Sequence, residues 1–405
     1  MNSPNDSQEK TTGPAPVLAL GFRPFFLAAA AFGAIAMAWW SWLLASGSSS
    51  FELPLTSAMW HAHEMVFGYL LAVIAGFLLT AVGNWTGKKM PTGAGLLGLV
   101  ALWSAGRVAM AFYGALPSWL VASLVVASPL ALLAVVGQRV IAAGSRRNYG
   151  VLVILSLFSV LALAAQLGIA GVGRWGFWPP LLGALHLAVV LNLVIGGRII
   201  PLFTRNRTKT PTRSVPWLDR LSLASAALTG ALVVVATSVA ASPALSYTLA
   251  GVAMVAALLN AARMRTWGVG PGLRVPMLAV LHVAYIGLVL GYFALALSTV
   301  LPIINSVTSL HLFTVAGMGL MTVGMMTRVT LGHTGRVIED DVAVRAVYVL
   351  MSLAAVIRLF DYAGQPLVTQ LSQVVSGLLF AASLLVACVW AWPRLTAPRP
   401  DGKPG

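Results

Sequence analysis

Apolar runs of about 20 residues, separated by short polar breaks, fill the chain from residue 21 almost to its end. A run of that length spans the ~30 Å hydrocarbon core of a bilayer at about 1.5 Å per helical residue. The runs predict helices over 22–46, 58–83, 93–114, 117–141, 149–170, 177–203, 217–239, 243–262, 273–299, 304–331, 341–363 and 367–392. In lipid every backbone polar group needs an internal partner, so apolar runs of this length are read as helices. The expected fold class is all-α, a polytopic integral membrane bundle of about twelve transmembrane helices.

The polar breaks carry the orientation. Lys88 and Lys89, Arg146 and Arg147, then Arg205, Arg207, Lys209 and Arg213, then Arg263, Arg265 and Arg274, and finally Arg336 and Arg345 all follow even-numbered runs. The other breaks are nearly uncharged, apart from Glu52 and Arg174. By the positive-inside rule both termini are expected in the cytoplasm. Residues 1–20 read as a disordered cytoplasmic tail, 21–393 as one transmembrane domain, and 394–405 as a short cytoplasmic tail. The basic, proline-containing break 204–216 divides the domain into halves of about 21–203 and 217–393.

Composition narrows this further. Of 405 residues, 59% are hydrophobic and only 9% charged, against about 25% charged in soluble chains. The net charge of +15 sits in the loops, not on an amphipathic face or tail, so topology explains it and no nucleic-acid partner is expected. The single cysteine, Cys388, excludes a disulfide framework and a cysteine metal cluster. No CxxCH occurs, so any haem is held non-covalently.

Ligand-type and ionisable side chains inside lipid are costly, about 2.5–3.5 kcal/mol per charge on insertion scales, and so mark candidate sites. Five of the six histidines fall in predicted spans: His61 and His63 opening the second, His186 in the sixth, His282 in the ninth and His311 in the tenth. Deduced depth places His61, His63 and His311 at the outer level, His186 about 13 Å deeper, and His282 near mid-depth. Neutral imidazoles from separate helices suit haem iron or copper; each one is equally well read as a hydrogen-bonded packing residue. Residues two apart point about 200° apart on a helix, so His61 and His63 are expected to serve different centres.

His61 shares a helical face with Glu64, Met65, Gly68, Ala72 and Gly76, where the small residues admit a flat ring or a neighbouring helix. Glu64 reads as a ligand, a proton relay or the partner of an arginine. His311, Thr314, Met318, Met321 and Met325 make a second stripe, read either as ligands or as core packing. Arg107 and Arg358 are intramembrane cations suited to haem propionates, with local pairing of Arg358 to Asp361 the alternative. The candidate cofactor residues are therefore His61, His186, His311, Arg107 and Arg358, and the candidate metal ligands are His61, His63, His186, His282, His311 and Glu64.

Five longer motifs stand out: Gly21 to Phe26 (GFRPFF), Trp60 to Tyr69 (WHAHEMVFGY), Gly76 to Trp85 (GFLLTAVGNW), Gly196 to Asn206 (GGRIIPLFTRN) and Arg328 to Arg336 (RVTLGHTGR). Through them the chain resembles the NnrS family of membrane proteins associated with the nitric oxide response. The resemblance implies twelve spans in a bacterial cytoplasmic (inner) membrane, haem b and copper as cofactors, and nitric oxide as the small-molecule ligand. It also implies a role in nitrosative stress, by binding or detoxifying nitric oxide or by protecting metal pools. Two rival readings are a secondary transporter and a cytochrome b type carrier with a quinol as electron donor. The two cytoplasm-facing motifs, at 196–206 and 328–336, read as anion sites or as helix ends.

Overall fold

A computed structural model of the chain describes residues 14–47, 55–301, 305–362 and 365–403, without the side chains of 361 and 362. Glu52 and the side chain of Asp361 therefore lie outside the described residues, and no strand occurs among those described. Among the described residues twelve long helices follow one another, with one short helical turn, Val269–Leu273, between the eighth and ninth: α1 (Phe22–Ser46), α2 (Ser57–Thr86), α3 (Gly93–Ala111), α4 (Ser118–Ala142), α5 (Tyr149–Ile169), α6 (Trp178–Thr208), α7 (Pro216–Ser238), α8 (Pro243–Met264), α9 (Pro276–Val300), α10 (Ser306–His333), α11 (Val342–Arg358) and α12 (Pro366–Thr396). All but α11 are long and apolar enough to cross a membrane; α11 has 17 residues and continues into a 3-10 turn, Leu359–Tyr362.

Local chemistry sets the ends. Proline at the first helical position sacrifices no needed donor, and it opens α7, α8, α9 and α12. Thr56, Asn305 and Asp341 cap α2, α10 and α11 by accepting from the amides of Met59, Val307 and Val344. Burial pushes the Asp341 carboxyl up, but the Val344 amide, the Trp390 indole and Arg394 outweigh it and hold its pKa below the ordinary value. Gly87, at φ 65°, ends α2 in the left-handed region that a side chain disfavours.

Two motifs bind each other to seat α1. Gly21 touches Leu79, the Phe22 amide donates to Thr80 Oγ1 at 3.0 Å, and Phe25 and Phe26 lie against Gly76. Arg23 then donates to the Leu395 and Ala397 carbonyls at 3.0 and 2.9 Å, and Arg399 donates to the His333 carbonyl at 3.1 Å. The start of α1 and the ends of α2, α10 and α12 thus share one face, the terminal face. At the opposite, distal face, Trp40 stacks on His61 and Gln370 donates to the Leu44 carbonyl. The start of α11 lies beside the end of α12, where Asp341 accepts from Trp390 and Arg394, and farther along Ser376 donates to the Ala354 carbonyl. One contiguous core runs from Phe22 to Leu395.

Three boundaries differ from the sequence expectation. Pro16–Leu18 forms a 3-10 turn whose apolar residues pack on the core, so order begins before residue 21, while 1–13 lie outside the described residues. Helix α12 continues to Thr396, and Arg399 brings the following segment back onto α10. Helix α6 passes through Pro201 to Thr208, contracting the central break to 209–215; a proline is tolerated in such helices where neighbours satisfy the freed backbone.

Arg23→Met should release the end of α12. Hydrogen bonds from a charged donor contribute about 1.5–3 kcal/mol each, so limited proteolysis should clip the C-terminal segment markedly faster than in the unmodified protein. An unchanged clipping rate would show that Arg23 does not hold that end.

Candidate functional site

Two of the twelve helices are irregular in the same way. Glu64–Leu70 in α2 and Leu312–Gly319 in α10 are π-helical, and each stretch directly follows a histidine, His63 or His311. Such segments make up well under 1% of residues and concentrate at functional sites. Their i→i+5 bonds break the 3.6-residue face assumed from sequence. The face expected for His61 is accordingly divided: Glu64 turns to Arg107, Gly68 admits Phe32 and Arg107, and Gly76 admits Phe26. The small residues therefore serve helix contacts and the guanidinium. The methionine stripe is likewise core, with Met318, Met321 and Met325 all buried.

At the distal face His61 stacks on Trp40, with ring centroids 4.5 Å apart and planes inclined by 12°. It lies within electrostatic reach of His311 and of Arg358, the last residue of α11, which is itself buried. The Nδ1 of His311 bonds the Val307 carbonyl at 2.8 Å. A carbonyl only accepts, so that nitrogen carries the proton and Nε2 carries the lone pair that a metal takes. His186, 2% exposed, packs on Phe313 two residues beyond His311, with ring centroids 5.4 Å apart. Its Nδ1 is buried without a hydrogen-bond partner among the described residues, and Gly230 makes room beside its Cβ. At this face His61 thus lies within electrostatic reach of His311 and Arg358, and His186 packs on Phe313 beside His311.

His63, Glu64 and Arg107 form a separate assembly. His63 is fully buried, its Nδ1 2.7 Å from Glu64 Oε1 and its Nε2 2.7 Å from the Gln166 amide. Glu64 also accepts from Arg107 at 2.5 Å. Both ring nitrogens of His63 are engaged, which makes it a link in a buried polar chain and not an open ligand. Arg107 is the counterion of Glu64, although its Nε and Nη2 have no partner among the described residues.

His282 belongs to a third place. Its Nε2 lies 3.0 Å from Thr204 Oγ1 and against Gly272. Thr204 is 18 positions beyond His186 on α6, about 27 Å at the helical rise. His282 is therefore near the terminal face, not at mid-depth and not with the distal histidines. Among the described residues no group of three His, Cys, Asp or Glu is gathered for a metal ion.

Gln166, Trp40 and Phe313 did not emerge from the sequence. Gln166 carried a usable signal, being a polar residue in an apolar span; the aromatic residues carried none among so many. Of the two motifs read as anion sites or helix ends, 328–336 does end a helix: Gly335, at φ 70°, follows α10, and the Arg336 amide returns to the Leu331 carbonyl, whereas α6 runs through 196–206 to Thr208.

No curated protein matches the chain. The family model described as NnrS protein matches residues 16–399, a stretch that holds all five motifs together with the histidine, glutamate and arginine assemblies, and the chain belongs to the NnrS family.

Proposed function

We propose that the protein binds a non-covalent haem b at the distal end of its bundle through His61 and His311 and handles nitric oxide with it. Membership of the NnrS family makes it a membrane protein of the nitric oxide response. We further infer twelve crossings of a bacterial inner membrane with both termini cytoplasmic. Support for this is the antiparallel pairing of α11 with α12 and the grouping of basic loops with the terminal face.

One observation carries the haem reading: His61, three residues before the π-helical segment of α2, and His311, directly before that of α10, come from separate helices and lie within electrostatic reach of one another and of the buried Arg358. The donor set fits haem, which needs one or two imidazoles and a cation for its propionates. Bound there, haem supplies an iron centre able to take nitric oxide. Trp40 holds the plane of the His61 ring, the Val307 carbonyl holds the tautomer of His311, and Arg358 balances carboxylate charge. The described residues assemble no three-donor group for copper, so no step is assigned to it.

The test is a reduced-minus-oxidised absorption spectrum with metal analysis of the purified protein and its alanine variants. His61→Ala and His311→Ala should abolish most of the haem absorbance, whereas His282→Ala should retain it, because His282 bonds Thr204, which lies about 27 Å from His186 along α6. A colourless wild-type protein, or bands that survive loss of both distal histidines, would overturn the reading and favour a transporter.

A further inference from the structure

Two adjoining cavities open at the terminal face, far from the distal histidines. The more basic one, about 410 Å³, is lined by Arg147, Arg198, Arg205, Arg213 and Arg263. Among its lining residues Asp219 is the carboxylate, and it is engaged by Arg263 at 2.5 Å and by Ser214. Five guanidinium groups thus face one carboxylate that already has partners.

The arginines are placed by the fold. Gly197, in the 196–206 motif, lacks the Cβ that would collide with the Arg263 guanidinium, which is held from below by the Leu193 carbonyl and Tyr285 hydroxyl, each at 3.0 Å. Arg198 donates to Asn148 Oδ1 at 3.2 Å, tying it to the loop that bears Arg147. The 209–215 loop is folded back over α6: Thr212 donates to the Pro201 carbonyl at 3.0 Å, and Thr266 donates to the Arg213 carbonyl at 2.8 Å. Orienting a helix requires only that cations lie in the loop. Bringing five of them from four chain segments onto one cavity adds mutual repulsion, which a bound anion relieves.

We propose that this cavity binds a phosphoryl anion. The planar fork of arginine matches phosphate oxygens in pairs, and several forks around one hollow suit a ligand with several such oxygens. The second cavity, about 600 Å³, shares Arg147, Arg198 and Leu202 with the first; apolar side chains such as Phe77, Ile199 and Phe203 make up most of the rest of its wall, with Thr80, Asn84, Ser145, Asn148 and His333 between them. It gives room for the acyl chains of an anionic phospholipid; a free phosphorylated solute would use the basic cavity alone.

The experiment has two arms on the full chain. In one, protein from nanodiscs of phosphatidylcholine with phosphatidylglycerol is washed in detergent, and retained lipid is counted by native mass spectrometry. In the other, inorganic phosphate is titrated calorimetrically into delipidated protein. The test variant is Arg205→Gln with Arg213→Gln, both exposed and outside the core; the control is Arg345→Gln, exposed and paired with Asp340. At about five-fold per arginine near an anionic headgroup, the double variant should bind roughly 25-fold more weakly, with the control unchanged. An effect in the lipid arm assigns the phosphoryl group to a phospholipid, and an effect in the phosphate arm assigns it to a solute. No preference for phosphatidylglycerol together with no phosphate binding, or an equal loss in the control, overturns the site.

Discussion

Arg107→Leu should lower the stability of the protein by about 3–5 kcal/mol, the cost of leaving one member of a buried ion pair without the other. Glu64 is 1% exposed and accepts from Arg107 at 2.5 Å and from His63 at 2.7 Å. With the guanidinium gone, His63 alone faces the carboxylate, and its other nitrogen is already held by Gln166. The double variant Glu64→Gln with Arg107→Leu removes both charges and should recover most of the loss, because a neutral amide can still accept from His63. The unfolding midpoint in detergent, followed by tryptophan fluorescence, reads both variants. If the single and double variants lose equal stability, the pair is not what holds α2 to α3, and packing at Gly68 and Trp103 carries that contact instead.

This assembly also shows where sequence reasoning reached and where it stopped. Span positions were legible because apolar runs of fixed length can serve few purposes, and the helix starts follow from Thr56, Asn305, Asp341 and the leading prolines. The intramembrane histidines and arginines were legible as candidates because each is costly in lipid. Their sorting into three places was not. A regular helix puts His61, Glu64 and Gly68 on one face, and no single sequence announces that Glu64–Leu70 winds as a π-helix. Similarly, Gly197 and Pro201 read as a helix end, but in the fold Gly197 is the space that Arg263 occupies and the helix continues to Thr208. Pairings between elements far apart in the chain, such as Glu64 with Arg107 or Gly197 with Arg263, depend on which helices are neighbours, and local patterns do not encode that.

Gly287→Ala carries the other large expected effect, through the segment that positions His311. A Cβ at 287 in α9 would lie 2.6 Å from the carbonyl carbon of Ala316 and 2.8 Å from the amide nitrogen of Gly317, both backbone atoms of the π-helical stretch of α10. Backbone cannot swing aside as a side chain does. Restoring ordinary contact at 3.4 Å from 2.6 Å requires a displacement of about 0.8 Å, by subtraction. The overpacking itself should cost about 1–3 kcal/mol. The stretch that moves follows His311 directly and carries Phe313 against His186, so the distal site should move with it. Misplacement on the order of 1 Å can cost about 100-fold where geometry decides the outcome. Retained haem should accordingly fall toward the level of His311→Ala while the protein stays folded. Gly98→Ala, on a helical position with nothing within 4 Å, is the control and should gain about 0.5–1 kcal/mol from helix propensity with haem unchanged. A Gly287→Ala protein that melts lower but keeps full haem would mean that the close contact between α9 and α10 serves the fold alone and that His311 is positioned from its other side, by Val307 and α11.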